Sequence, residues 1–526
     1  MYKASKRPSW FIWLPLAGAG LLVVGLLIGV TLEQSASPAV EITEVDKTSS
    51  SGYGVGSIEE ILRYIEAKYV DEVDREGIVD GAINNLLAEL DPHSSYISPS
   101  NLAAHKDQLN GTATGIGVEV LIVRDSVTIL KALPGSPAHE AGIMPSDRII
   151  SIADSVVSGQ GYSLNKVKSI LKSLPEGAVK VQLFRPGTGD LLPISLSPRE
   201  VVIPSVSKGL ILEEDIAYIR IHQFATDTYQ QFMQQVERLV QDSSANHLII
   251  DLRGNSGGYL QEAVNVLSQL FPDEGRLLVY TEGEHSPRKD YNTTGRVFFN
   301  VENVAVIIDG GTASASEILA GAVQDWDRGL VVGQRSFGKG LVQELYPLKN
   351  GGALHITVAR YFTPSGRSIQ RDYADLGAYR AGFDSLNQLS PKQYVTSSGR
   401  SVYSGGGISP DKKVKGSKRI SEPNFFEANR LLKQFVFEDV EDISSSATID
   451  ELLSNFRQYL QENDHPLNND QWNYYKDEIA EEFSIALRKK SSGDEAAKRA
   501  SLSRDPFVEE AIKAVQGAQL IARQLH

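Results

Sequence analysis

The chain has 526 residues, enough for several domains and an ample core. Its formal net charge of −14 argues against a nucleic-acid-binding role and is ordinary for a soluble extracytoplasmic enzyme. The absence of cysteine excludes disulfides and thiolate metal sites and leaves the redox compartment open.

Lys3, Lys6 and Arg7, within a basic flank over 1–9, precede an uncharged run from Trp10 to Leu32. Roughly 20 apolar residues cross a bilayer, so 10–32 reads as a single membrane anchor. The positive flank puts the N-terminus in the cytoplasm and the remainder outside. The rival reading is a signal peptide cleaved near Ser35-Ala36-Ser37. Residues 33–56, rich in Ser, Thr and Glu, form a tether. In 57–104, Ile58, Ile61, Leu62 and Ile65 recur at helical spacing, and Ile78, Ile83, Leu86, Leu87 and Leu90 do so again. The segment Asp91-Pro92-His93-Ser94-Ser95-Tyr96 ends the second helix, and His93 reads as part of its cap. Residues 105–198 form a β-rich module, with strands near 118–123 and 126–131 and a helix around Leu164–Leu174 that puts Val167 and Leu171 on one face. Gly115-Ile116-Gly117-Val118 precedes the first strand. A glycine-bearing loop of this kind offers N–H groups to a chain-terminal carboxylate, beside a strand edge that can accept an extended peptide.

From Val201 strands and helices alternate. Ile216–Ile221 predicts a strand and Thr226–Val240 a helix with Tyr229, Phe232 and Val236 on one face. His247–Leu252 is a buried strand running into Arg253-Gly254-Asn255-Ser256-Gly257-Gly258, followed by a helix over Glu262–Phe271. That turn supplies main-chain donors suited to an oxyanion. As a phosphate loop it lacks the G-x-x-x-x-G-K pattern. Val304–Ile308 predicts another buried strand. Asp309-Gly310-Gly311 turns it, and Thr312–Ser316 leads into a helix starting after Ser316, with Ser316 and Glu317 in its first turn. The Gly329–Gly333 strand then delivers Lys339 between two glycines. The bland reading makes Ser314 a helix cap and Lys339 a solvated loop charge. With no cysteine and no histidine placed to partner a serine, Lys339 is the best base available for a serine nucleophile, and Ser–Lys pairs are an accepted variant of triad chemistry. Ser336 and Lys339 also spell S-x-x-K, without the companion motifs of penicillin-recognising enzymes. Strands follow at Leu341–Leu345 and Leu354–Phe362, then a tyrosine-rich insertion at 371–406 and the segment Gly407–Asp411. The charged tail 421–526 reads as helical, with Leu431, Leu432, Phe435, Leu452, Leu453 and Phe456 at helix spacing.

GTASASEILAGAVQD (311–325) followed by GQRSFGKGLVQ (333–343) resembles the active-site block of the C-terminal processing, or tail-specific, serine proteases. In that resemblance Ser314 falls on the nucleophile, Lys339 on the general base and Gln343 on the residue that orients the lysine. The Asp251–Gly258 segment is similar to the family's DLR-x-N-x-Gly-Gly, with Ser256 where proline is common. By the same carry-over Gly257 or Gly258 shares the oxyanion hole with the N–H of Ala315, and the sequence leaves the choice open. The LDPHSSYISP segment is similar to the family's N-terminal helical region. The module 105–198 resembles a circularly permuted PDZ domain, which implies that Gly115, Ile116, Gly117 and Val118 bind a substrate C-terminus.

The resemblance covers about residues 57–415 and implies an α/β architecture. A mixed α/β protease core of ClpP/crotonase-like type (199–420) would carry the inserted PDZ domain, the N-terminal helical segment, the C-terminal helical extension (421–526) and one N-terminal transmembrane helix. The implied activity is serine endopeptidase cleavage of unfolded or tail-exposed protein substrates, with no metal or other cofactor. An adaptor protein and oligomerisation stay open. The location implied is the inner (cytoplasmic) membrane with the catalytic part in the periplasm, or the periplasm itself if the leader is cleaved. The alternative is a non-catalytic PDZ scaffold that captures C-termini. The presence of Ser314, Lys339 and Gln343 together argues against it.

Overall fold

The computed structural model describes residues 55–123, 125–153, 155–186, 188–213, 215–241, 245–375, 379, 392–415, 423–438, 448–463 and 465–524. The expected anchor at 10–32 and nearly all of the expected tether lie outside the described residues. Among the described residues no helix is long and apolar enough to cross a membrane. The chain divides into two units, 1–79 and 80–526. In the first, helix α1 (Val55–Lys68) forms where the isoleucine spacing predicts it, and Ile58 and Ile61 on it are exposed. Helix α2 (Arg75–Ala88) begins in this unit.

The second unit opens with β1 (Ser95–Ile97) and α3 (Pro99–Asn110). A module follows: β2 (Thr112–Gly115), β3 (Val118–Val123), β4 (Ser126–Ala132), the short α4 (Pro137–Glu140), β5 (Arg148–Ile152), β6 (Ser155–Val156), α5 (Leu164–Lys172), β7 (Val179–Arg185), β8 (Asp190–Leu196) and β9 (Arg199–Val202). Its sheet runs β3-β4-β5-β7-β8, so β3 is an edge strand. Strand β7 alternates buried and exposed residues, as a sheet with one covered face requires. The helix side chains Val167 and Leu171 join Ile129, Ile149, Val181 and Leu183 in the module's own core. Strand β2 pairs with β9, so the module enters and leaves through one two-stranded stem.

The next elements are β10 (Leu210–Leu212), β11 (Ile216–Arg220), α6 (Thr228–Val236), β12 (His247–Asp251), α7 (Leu260–Ser268), β13 (Glu274–Gly283), β14 (Ser286–Thr294), β15 (Asn303–Ile308), α8 (Ala315–Asp325), β16 (Gly329–Gly333), β17 (Leu341–Pro347) and β18 (Ala353–Phe362). Strands β11, β12, β15 and β16 are parallel neighbours. Their near-continuous apolar runs follow from burial on both faces. Ala217, Ile219, Leu248, Ile250, Val304 and Val306 face α7 and α8. The alternate residues Ile216, Tyr218, Ile249, Ala305 and Ile307 face the other way, onto Phe507, Val508, Ala511 and Val515. A second, antiparallel sheet joins β13, β14, β17 and β18, and β1 from the N-terminal region adds to its β18 edge.

In the 371–406 stretch, β19 (Gln393–Val395) and β20 (Ser401–Tyr403) form a hairpin, and β21 (Lys412–Lys413) then pairs with β16. The tail is helical: α9 (Pro423–Glu438), α10 (Ile449–Glu462), α11 (Asn469–Leu502) and α12 (Pro506–Gln524). The first three share a core around Phe435, Phe456 and Phe483. Helix α12 instead covers the second face of the parallel sheet, so the tail is two things: an appendage and a layer of the α/β core.

Candidate active site

Helix α8 starts at Ala315, earlier than the sequence predicts, and Ser314 stands at its N-cap. Ser314 has φ 55° and ψ −119°, a region that costs a side-chain-bearing residue on the order of 1–3 kcal/mol and persists where surroundings over-determine it. The restraint is Glu317. Its buried carboxylate takes the Ser314 N–H at 2.9 Å and the Lys339 N–H at 2.8 Å on Oε2. On Oε1 it takes the Ser336 hydroxyl at 2.5 Å and the Gly338 N–H at 2.8 Å. One carboxylate thus fixes the main chain of both residues. The Tyr361 hydroxyl adds a second tie, donating to Lys339 O at 2.6 Å and Ser314 O at 3.1 Å. Burial pushes the Glu317 carboxyl up to about 7, against the four donors that favour its charged form.

Lys339 is half-buried between β16 and β17. Its Nζ donates to Gln343 Oε1 at 2.8 Å, and Gln343 Nε2 donates to the His93 carbonyl at 2.6 Å. Among the described residues the lysine's hydrogen-bond partner is therefore Gln343 and not Ser314. Burial lowers the ammonium's pKa, while the charges of Asp91 and Glu317 oppose that shift. A base must lose its proton before it can accept one, so the lowering suits that task.

The Arg253–Gly258 turn lies against Ser314. A Cβ on Gly257 would meet Ser314 Cβ at 2.7 Å and Ala315 N at 3.0 Å, and Gly257 has φ 104°. Only glycine lets the two segments approach this closely. The Gly257 N–H donates to Asn255 Oδ1 at 2.9 Å. The N–H groups of Gly258 and Ala315 make no hydrogen bond among the described residues. Ala315 is the first residue of α8, where an N–H has no partner within the helix.

In the module, Gly117 has φ 74° and its carbonyl accepts from Leu133 N and Ser136 Oγ. The N–H groups of Ile116 and Gly117 are unbonded among the described residues. The outer edge of β3 carries one bond from the tail, Gln434 Nε2 to Ile122 O at 2.6 Å. Among the described residues no group of three or more His, Asp or Glu could hold a metal ion.

The profile of peptidase family S41 matches residues 215–375, and that of the activating protease CtpB N-terminal domain matches 17–100. The carboxy-terminal processing protease CtpB of Bacillus subtilis is 31% identical over 354 residues, spanning 66% of this chain and 72% of that protein. The chain belongs to peptidase family S41. The carboxy-terminal-processing protease of Bartonella bacilliformis is 29% identical over 351 residues, 66% of this chain and 80% of the relative. The solved photosystem II D1 C-terminal processing protease is 29% identical and covers 69% of this chain and 88% of its own, with a TM-score of 0.36. As an S41 carboxy-terminal processing protease the chain is a serine-type peptidase acting on protein substrates.

The structure brings Ser314, Ala315, Lys339, Gln343, Gly257 and Gly258 into one region of this peptidase, and leaves Gly115–Val118 in a separate module. Sequence reasoning missed Tyr361 and the contact with His93. A main-chain carbonyl such as that of His93 leaves no side-chain signal to read.

Proposed function

We propose that this S41 peptidase is a membrane-anchored endopeptidase that selects substrates by their C-terminal tails and cleaves with a Ser314–Lys339 dyad. The observation that carries the dyad is the shared Glu317 oxygen, which takes the main-chain N–H of both residues. Ser314 Oγ attacks the peptide carbonyl as neutral Lys339 Nζ takes its proton. The N–H groups of Ala315 and Gly258 hold the tetrahedral oxyanion, since that of Gly257 is already engaged by Asn255. The lysine ammonium then protonates the leaving amine, and water, deprotonated by the same Nζ, hydrolyses the acyl ester. Gln343 keeps the amine aimed.

Tail selection is assigned to residues 105–198 as a PDZ domain. The unbonded N–H groups of Ile116 and Gly117 would receive the terminal carboxylate, and the tail would add to the β3 edge beside α5. Strand addition there exchanges the Gln434 amide at Ile122 for a peptide donor. The anchor at 10–32 would hold the catalytic part on the outer face of the inner membrane. The test is cleavage of one unfolded substrate with a free, apolar C-terminus and of its amidated twin. The free acid should be cut roughly ten- to a hundred-fold more efficiently, the scale of a charge-assisted hydrogen bond. Equal kinetics would remove tail recognition, and unchanged cleavage in Ser314→Ala would remove the dyad.

A further inference from the structure

We propose that the Asp91–Ser94 turn is a positioning element for the base, acting through Gln343. The inference rests on the dyad reading above and extends it to a segment whose His93 lies 250 positions from Gln343 in the chain.

A glutamine amide can face a lysine with either end. Here Nε2 is pinned on the His93 carbonyl at 2.6 Å, so Oε1 is the end presented to Lys339 Nζ, at 2.8 Å. The direction of that carbonyl is set by Asp91. Its Oδ1 accepts the N–H groups of His93 and Ser94, each at 2.8 Å, and its Oδ2 accepts the Ser94 hydroxyl at 2.6 Å. Ser94 Oγ in turn accepts Thr357 N at 3.1 Å, and β1 pairs with β18, so the turn is stapled to the catalytic sheet. On its other side the His93 ring nitrogen Nε2 meets the Tyr379 hydroxyl at 2.7 Å. Asp91 is 5% exposed and Tyr379 is 5% exposed. A buried carboxylate spending all three bonds on two neighbouring residues, His93 and Ser94, is more bracing than a surface helix end requires. What the brace fixes is one carbonyl, and that carbonyl fixes Gln343.

Asp91 has a second, separable influence. Asp91 holds negative charge toward Lys339, and Glu317 does so once ionised, while His93, His355 and Arg371 line the same region from other elements. Burial and the neighbouring lysine keep the His93 ring neutral down to about pH 4, so its ring charge does not enter.

The two roles divide between two variants. Asp91→Ala removes all three bonds and should lower kcat roughly ten- to a hundred-fold with KM nearly unchanged, the scale of misplacing a catalytic group. Asp91→Asn keeps an oxygen for both N–H groups and should restore most of kcat. Its lost charge should move the acid limb of kcat/KM to lower pH. In a Gln343→Ala background, Asp91→Ala should cost almost nothing more, because the path through Gln343 is already cut. An additive loss in that background, or a loss confined to KM, overturns the inference. If Asp91→Ala is unfolded by circular dichroism, Ser94→Ala, which removes only the hydroxyl bonds, replaces it. That variant should show a smaller kcat loss with the same absence of additivity, and additivity there overturns the inference equally. Lys339→Ala runs beside them. Activity in Lys339→Ala breaks the dyad reading itself, whereas an inactive Lys339→Ala with a fully active Asp91→Ala breaks only the positioning role.

Discussion

Two glycine turns in this chain are held in place by different means. At Gly257-Gly258 the turn presses on Ser314, and the neighbourhood is braced by a buried carboxylate that takes four donors. At Gly115–Val118 the loop is held by main-chain bonds and one serine hydroxyl, and the strand beyond it ends in an edge. The first is over-determined, as strained geometry around a reacting atom must be. The second leaves the Ile116 and Gly117 N–H groups unbonded among the described residues and its strand edge holding one side-chain bond, from Gln434, as the proposed exchange of one chain for another requires. Chemistry calls for rigidity in depth, and capture calls for a rigid rim with an open side.

The contrast can be broken first at Glu317. Glu317→Gln offers one acceptor oxygen where the carboxylate offered two, so two of the four donors lose their partner. At about 1–3 kcal/mol per unsatisfied buried donor this should cost on the order of 2–6 kcal/mol. Melting temperature should fall and activity should drop by at least a hundred-fold. An active, equally stable Glu317→Gln would show that the brace is dispensable. The pH dependence has a defined sign. Because the folded-state pKa of Glu317 is raised to about 7 from an ordinary carboxyl value near 4.5, folding favours its protonated form. Its contribution to stability is fully present below about 4.5 and is lost as pH rises through 7. Melting curves in that window should flatten in Glu317→Gln.

The module loop should answer differently. Gly117→Val would block the approach of a carboxylate to the loop. A Cβ there would meet Ser136 Cβ at 2.2 Å, and φ is 74°, so the substitution also distorts the loop. Its expected signature is loss of the free-acid preference with retained labelling of Ser314 by a serine-reactive acylating agent. A variant that loses both together would tie the rim to the braced site and erase the contrast. The smallest effect belongs to Gln434→Ala, which frees the Ile122 carbonyl on β3. KM for tailed substrates should fall about two-fold, with kcat unchanged. A rise in KM would mean that the tail helix supports the edge instead of occupying it.

Much of the fold was legible because burial on both faces writes itself as continuous apolar strands. His247–Asp251 and Asn303–Ile308 are examples, and turn glycines marked their ends. The positions of Ser314 and Lys339 were legible for the same reason, each following a strand and a glycine. What escaped were relations across the fold. Periodicity shows that the Pro506–Gln524 helix has an apolar stripe, but cannot say that the stripe covers β11, β12 and β15. Glu317 was read as first-turn chemistry, and three-dimensional proximity turned it into the support of Lys339 as well. The Asp91–Ser94 turn looked like a helix ending, and only its contact with Gln343 gives it further meaning.

The central claim is that Ser314 and Lys339 act as one unit. The direct measurement is kcat/KM for Ser314→Ala, Lys339→Ala and the double variant on one unfolded peptide, with the wild-type pH profile alongside. Each single variant should be inactive, the double should be no worse than either, and all three should melt within a few degrees of wild type. Wild-type activity should rise with pH through an apparent pKa below the ordinary lysine value of about 10.4, since burial favours the neutral amine. Substantial cleavage by Lys339→Ala with an unshifted acid limb would contradict the account.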